Sequence, residues 1–164
     1  MASIIQVEEL RGLTSGANAN TVSMGSGQQF MPSPNQVIQY KFFNQTTTFD
    51  SSSGSYVNVF SQYFTPKQTG SQIVARYSGH LYKYNSTNFP NTQGKLLIDN
   101  TQVWQNNYIT YHETDQYMYT LSVIGAKLST GTSQISVGWQ INPNGYRTYI
   151  YANTGGLEIW EVAQ

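Results

Sequence analysis

The sequence predicts an all-β chain, a sandwich, jelly roll or barrel behind an extended N-terminal arm. Three observations carry that expectation. From Gln36 onward Val, Ile, Thr, Tyr, Phe and Trp dominate, with turn residues about every 8–12 positions. The run 134–141 sets Ile135, Val137, Trp139 and Ile141 at a strict period of two, as a strand with one buried face requires. No segment sustains a helical period, apart from one turn expected near residues 8–13. Nor does any internal repeat of fixed period appear.

Residues 1–35 are expected to form the arm and residues 36–164 the β domain. The arm opens with Ile4, Ile5, Val7, Leu10 and Leu13, then runs through small polar residues and glycine over 14–29. That stretch is too polar to build a core. Phe30-Met31-Pro32-Ser33-Pro34 favours an extended exit, because each proline biases its predecessor away from helix. Strands are expected near 37–43, 56–64, 71–84, 107–112, 116–125 and 157–162. Residues 95–98 and 101–104 read as a hairpin around Asp99-Asn100. Asn142-Pro143-Asn144-Gly145 ends the 134–141 strand, and 146–152 reads as its return strand.

Two of these strands are apolar on both faces. Leu157 and Ile159 point one way, Trp160 and Val162 the other; Tyr117, Tyr119, Leu121 and Val123 oppose Met118 and Ile124. An antiparallel strand with one wet face alternates apolar and polar instead. Both faces therefore need cover, from loops, from the arm or from another copy of the chain, and self-association is the expectation. Tyr117, Tyr119, Trp160 and Val162 are the expected interface residues.

Composition narrows the chemistry. Charged residues make up 10% of the chain, against about 25% in an ordinary domain. Asn, Gln, Ser and Thr together supply 64 of the 164 residues, beside 13 Tyr, 7 Phe and 3 Trp. Cysteine is absent, which excludes disulfides and thiolate zinc sites. A formal net charge of zero gives no broad attraction to nucleic acid or to an anionic membrane. No apolar run approaches the roughly 18 residues of a membrane-spanning helix. The opening Met1-Ala2-Ser3-Ile4-Ile5 has no basic region before an apolar one and is not expected to be a secretory signal.

Catalytic signals are weak. His80 and His112 are the two histidines. His112-Glu113-Thr114-Asp115 offers several ligand types on one loop but reads as a solvated turn, and His80 as a strand histidine. No G-x-S-x-G elbow and no phosphate-loop frame is present. Glu158 and Glu161 fall on opposite faces of one strand, so they cannot act as a paired acid and base. The sequons at Asn44 and Asn85 read as accidents of composition. No enzyme, metal or cofactor is expected. Tyrosines suit strands and interfaces, and they also suit sugars, whose C–H faces stack on aromatic rings. Tyr82, Tyr108, Tyr146 and Tyr149 are the candidate glycan contacts, with Tyr84, Tyr111 and Tyr151 beside them.

From Val37 to the end the chain resembles the trimeric jelly roll of tumour-necrosis-factor ligands and complement-type globular heads. The residues that carry the resemblance are Phe42-Phe43-Asn44, Phe49-Asp50, and Phe60-Ser61-Gln62-Tyr63-Phe64-Thr65-Pro66 with Gly70. Leu97-Ile98-Asp99-Asn100-Thr101-Gln102-Val103 is similar to the family's middle hairpin. Ala126-Lys127-Leu128-Ser129-Thr130-Gly131 resembles the loop entering its penultimate hairpin, and Leu157-Glu158-Ile159-Trp160-Glu161-Val162 its closing strand. Ser71-Gln72-Ile73 departs from it, lacking the usual aromatic after the glycine.

The resemblance implies an antiparallel jelly-roll sandwich and a homotrimer, of a kind found in tailed-phage virion proteins. The leading expectation is a capsid decoration, or cement, protein on the outer capsid surface of a virion. Its partner would be the major capsid protein, gripped by Ile4, Ile5, Val7, Leu10 and Leu13 of the arm. The alternatives are a fibre or tail-tip receptor-binding head, or a glycan-binding module.

Overall fold

Ten strands and no helix form among the residues that the computed structural model describes, 33–83, 92–106 and 117–164. They are β1 (Val37–Asn44), β2 (Phe49–Ser51), β3 (Val57–Phe64), β4 (Gln72–Lys83), β5 (Gln93–Ile98), β6 (Thr101–Asn106), β7 (Tyr117–Leu128), β8 (Ile135–Asn142), β9 (Thr148–Ile150) and β10 (Gly155–Val162). Every pairing is antiparallel. One sheet runs β3-β8-β5-β6; the other joins β1, β10, β4 and β7, with β9 and β2 at one end.

Without β2 and β9, the eight longer strands form two four-stranded sheets, β1-β10-β4-β7 and β3-β8-β5-β6, in jelly-roll order, the chain changing sheet at every step except the β5–β6 hairpin. The all-β sandwich expected from the strand pattern is therefore the fold. Fold alone assigns neither a family nor a function.

Alternation builds the core. Ile73, Ala75, Tyr77 and Leu81 of β4 face Val137, Trp139 and Ile141 of β8, all buried. Trp139 stacks on Tyr77 with centroids 5.4 Å apart and meets Trp104 at 5.6 Å. The Tyr77 ring lies over the cross-strand pair Gly79 and Gly155, where a Cβ would come within 2.9 Å and 2.7 Å of its hydroxyl. The missing Cβ atoms let that hydroxyl donate to the buried Gln45 carbonyl at 2.8 Å, and burial raises the phenol's pKa well above its usual range.

The β5–β6 hairpin forms as expected, with Asp99 and Asn100 both at positive φ (50° and 58°), the conformation a tight type I′ turn demands. One expectation is corrected, and one strand was not foreseen. Residues 146–152 do not fold back on β8; β9 crosses to the other sheet and pairs with β4 and β2. Thr148 and Ile150 are buried there, so the turn that suggested a return strand instead hands the chain to the opposite sheet. The short β2, with one apolar residue among three, carried too little pattern to be read. The strand expected at 107–112 and the turn at 8–13 lie outside the described residues.

β9 continues the lane of β10, and β2 that of β1. The interruption is fixed by Gln45, whose N–H donates to Gly155 and whose carbonyl accepts from Asn153. At the other end of β1, Asn35 N–H donates to Ala163 and Ala163 N–H to Gln36.

Candidate functional site

Inward residues of β4, β10 and β7 serve the core, so their even-numbered neighbours stand on the sheet's outer face. Registers align them in three transverse rows: Phe42–Glu158–Arg76–Ile124, Tyr40–Trp160–Val74–Ala126 and Val37–Val162–Gln72–Leu128. Seven large apolar side chains are exposed among the described residues. Five of them, Val37, Tyr40, Phe42, Ile124 and Leu128, stand in these rows, each more than half exposed. Clustering of this kind marks an interaction surface, whereas scattered exposed apolar residues are ordinary.

The charges inside this face close on one another. Arg76 Nε donates to Glu158 at 3.0 Å, a second guanidinium N–H reaches the same oxygen, and the Arg76 cation lies 5.6 Å over the Trp160 ring. Tyr40 packs on Trp160 at 5.5 Å and its hydroxyl donates to Glu158 at 3.4 Å; lost solvation, then the carboxylate, raise that phenol's pKa.

At the β9 end the same face turns aromatic. Arg147, Tyr149 and Tyr151 fall at alternate positions, and Tyr82 opposes Tyr149 across β4 and β9. The guanidinium sits 4.6 Å over Tyr149; Tyr149 and Tyr151 are near parallel (11°) at 6.3 Å; Tyr82 meets Tyr151 edge-on at 4.8 Å. Asp50 opposes Tyr149 from β2 and holds Arg147 at both carboxylate oxygens, 3.1 and 2.8 Å. Those hydrogen bonds keep the Asp50 carboxyl below its ordinary range. The loops beside this ladder are tied by Asn44 donating to Asn153 at 2.7 Å and Ala152 N–H to Thr48 at 3.2 Å.

A third cluster looks chemical and is structural. Glu161 is fully buried and accepts from the Lys67 and Gln68 N–H groups, the Ser71 hydroxyl and the Gln39 amide. Burial raises its pKa and these donors outweigh that, so the net shift is downward. Ser129 closes the cluster by donating to the Gln68 carbonyl at 2.8 Å. A nucleophile must meet a substrate; Ser71 is fully buried, its hydroxyl directed at Glu161 and the Gln68 carbonyl. His80 stands on the opposite face of β4 from Ser71 and its partners. No group of three metal-ligating side chains occurs among the described residues.

The structure thus joins Tyr82 and Tyr149 in one ladder, and sets Trp160 and Val162 on one face. Tyr146 sits in the turn before β9. Tyr117 and Tyr119 belong to β7 by backbone, and their side chains lie outside the described residues. So do Tyr84, Tyr108, Tyr111, the 112–115 run and the arm residues Ile4, Ile5, Val7, Leu10 and Leu13. Asp50, Arg147, Val37, Tyr40 and Phe42 were missed as site residues. The period-two set Arg147, Tyr149, Tyr151 and the apolar residues of 37–43 were signals for four of them; Asp50 had none, since its place comes from the pairing of β2 with β9.

No family model matches the chain, and no curated protein matches it. Among solved structures the chain is similar to one titled "EclA C-terminal domain; sugar-binding protein". Identity is 11% and the TM-score 0.41, over 93% of this chain and 99% of that one. A likeness of that size supports no argument about function.

Proposed function

We propose that the chain is a non-catalytic, glycan-binding head that works as a closed homo-oligomer, a trimer on the pattern of the jelly rolls it resembles. The observation that carries this reading is that one sheet face bears both the exposed apolar rows and the tyrosine ladder. The rows favour another copy as cover, because their only charges, Arg76 and Glu158, are already paired and ask nothing of a charged partner. The ladder favours sugar, because rings held by their neighbours lose little freedom when a ligand stacks on them. Ser71 and Glu161, whose polar atoms are engaged with each other and with the backbone, favour a role without catalysis. Sedimentation and a glycan array on the full chain test the reading. An oligomer with array hits lost on Tyr151→Ala is the expected result; a folded monomer at micromolar concentration, or an empty array, overturns it.

The apolar rows equally serve a second reading, decoration of a capsid by a homotrimer whose residues 1–35 grip the shell. Ile4, Ile5, Val7, Leu10 and Leu13 would be its anchors. Deleting residues 1–15 is then expected to abolish capsid occupancy and leave the oligomer intact; unchanged occupancy refutes the arm's role.

A further inference from the structure

We propose that Asn144 is a covalent modification site, where the main-chain nitrogen of Gly145 displaces the side-chain amide, and that the folded turn holds this reaction back.

Sequence and backbone coincide here. Of the chain's asparagines, Asn144 alone precedes glycine. Glycine leaves the attacking nitrogen unshielded, because no side chain stands beside it. Asn144 and Gly145 both take positive φ, 57° and 85°, and Tyr146 N–H donates to the Pro143 carbonyl at 3.3 Å. Those features define a type I′ turn. Gly145 is exposed and Asn144 half-buried, so water reaches the reacting atoms.

The chemistry needs water and no other co-reactant. The deprotonated Gly145 nitrogen attacks Cγ of Asn144. A nitrogen–Cγ bond forms, the Cγ–Nδ2 bond breaks, and ammonia leaves with the proton. Water then opens the cyclic imide. Opening at Cγ gives aspartate. Opening at the main-chain carbonyl of residue 144 gives isoaspartate, whose chain runs through Cβ and Cγ. Both products replace a neutral amide with a carboxylate, and isoaspartate also lengthens the main chain by one carbon.

The fold opposes ring closure. Gly145 N–H donates to the Ser53 carbonyl at 3.1 Å, which docks the turn on the loop after β2. Asn144 N–H donates to Asn142 Oδ1 at 2.9 Å. Closing the imide requires the Gly145 nitrogen to be free and the Asn144 Cα–C bond to rotate out of its left-handed setting. Both changes demand local opening of the turn. Conversion also reaches beyond the turn, which hands the chain from β8 to β9. There Tyr149 opposes Tyr82 on β4 and Asp50 on β2. An extra main-chain carbon ahead of Thr148 disturbs that register.

The test holds the full-length chain in mildly alkaline buffer, folded and in urea, and maps peptides so that aspartate and isoaspartate at residue 144 are resolved. Conversion in urea is expected, with folded-state conversion about tenfold slower or more. Asn144→Gln is expected to abolish the product in both conditions. Equal rates in the two conditions overturn the protection by the turn. No product in urea, or undiminished product from Asn144→Gln, overturns the site. The isoaspartate form, separated by its added charge, is expected to lose part of the near-ultraviolet circular dichroism of the tyrosine ladder. A retained spectrum overturns the coupling to β9.

Discussion

The two sides of strand β10 carry the same residue types and opposite arrangements. Its inward side presents Leu157, Ile159 and Glu161, all fully buried. Every polar atom of Glu161 is engaged within the chain. Its outward side presents Glu158, Trp160 and Val162 among neighbours that stand more than half exposed, Val37, Tyr40, Phe42 and Ile124. The inner side is complete in one copy. The outer side has satisfied its charges but left its apolar area uncovered, which is what the proposed association would cover. The outer face of the second sheet gives the contrast: Asn58, Ser61, Gln140 and Lys95 line it, and its one exposed large apolar side chain, Tyr63, stands without a row of others beside it.

The inward side should therefore show the largest effect on folding. Glu161→Leu leaves the donors of Lys67, Gln68, Ser71 and Gln39 without an acceptor. Each orphaned buried donor costs about 1–3 kcal/mol, and partial relaxation to water brings the expected loss to roughly 3–5 kcal/mol by urea unfolding. The wild type should also be acid-sensitive. The folded pKa of Glu161 lies below its ordinary 4.5. Its contribution is then complete above that ordinary value and is lost as pH falls through the folded value. A denaturation midpoint that drops below about pH 4.5 in wild type but not in Glu161→Gln fits this account. The same slope in both proteins would remove Glu161 as its source.

The outward side should affect assembly and not folding. If the proposed oligomer forms, Ile124→Lys with Leu128→Lys is expected to raise its dissociation constant by about a hundredfold or more, since each covered side chain contributes about 1.5–3 kcal/mol. Melting of the separated chains should barely change, because both residues already face water. Gln102→Lys, exposed on β6 in the other sheet, is the control and should leave sedimentation unaltered. Equal dissociation by the control would mean that the apolar rows are not the contact.

How legible this was depended on whether a residue's pattern or its partners decided its place. Period-two runs such as Ile135, Val137, Trp139, Ile141 revealed both the strand and its buried side, because alternation follows directly from backbone geometry. The two-sided character of β10 was equally plain: Trp160 and Val162 were read as opposite to Leu157 and Ile159, and the registers place them so, though which side faces out was not read. Pairing was harder. Nothing local tells residues 148–150 to join β4 and not β8, since both choices bury Thr148 and Ile150. The ladder suffered from the same gap: Tyr82 and Tyr149 were candidates by residue type, but their meeting and the closure of Asp50 on Arg147 depend on that crossing. The burial of Glu161 was not legible, because two of its four donors are backbone N–H groups, of Lys67 and Gln68, that no side-chain pattern records.

The smallest effect on folding should come from Glu158→Gln, and it sharpens the contrast most. Glu158 and Glu161 are three residues apart on one strand. Glu158 pairs with Arg76, whose side chain is 43% exposed, so the pair is worth about 1 kcal/mol at most to a single copy. Glutamine keeps one acceptor for Arg76 and for Tyr40, and urea unfolding of separated chains should shift by less than that. Covering the face changes the balance. Once neighbours exclude water, Arg76 without a carboxylate becomes a buried unpaired cation, which costs far more than the exposed pair ever contributed. Glu158→Gln should then weaken association by about tenfold while folding barely moves. A loss of folding stability as large as that of Glu161→Leu would mean the two sides of β10 do the same work.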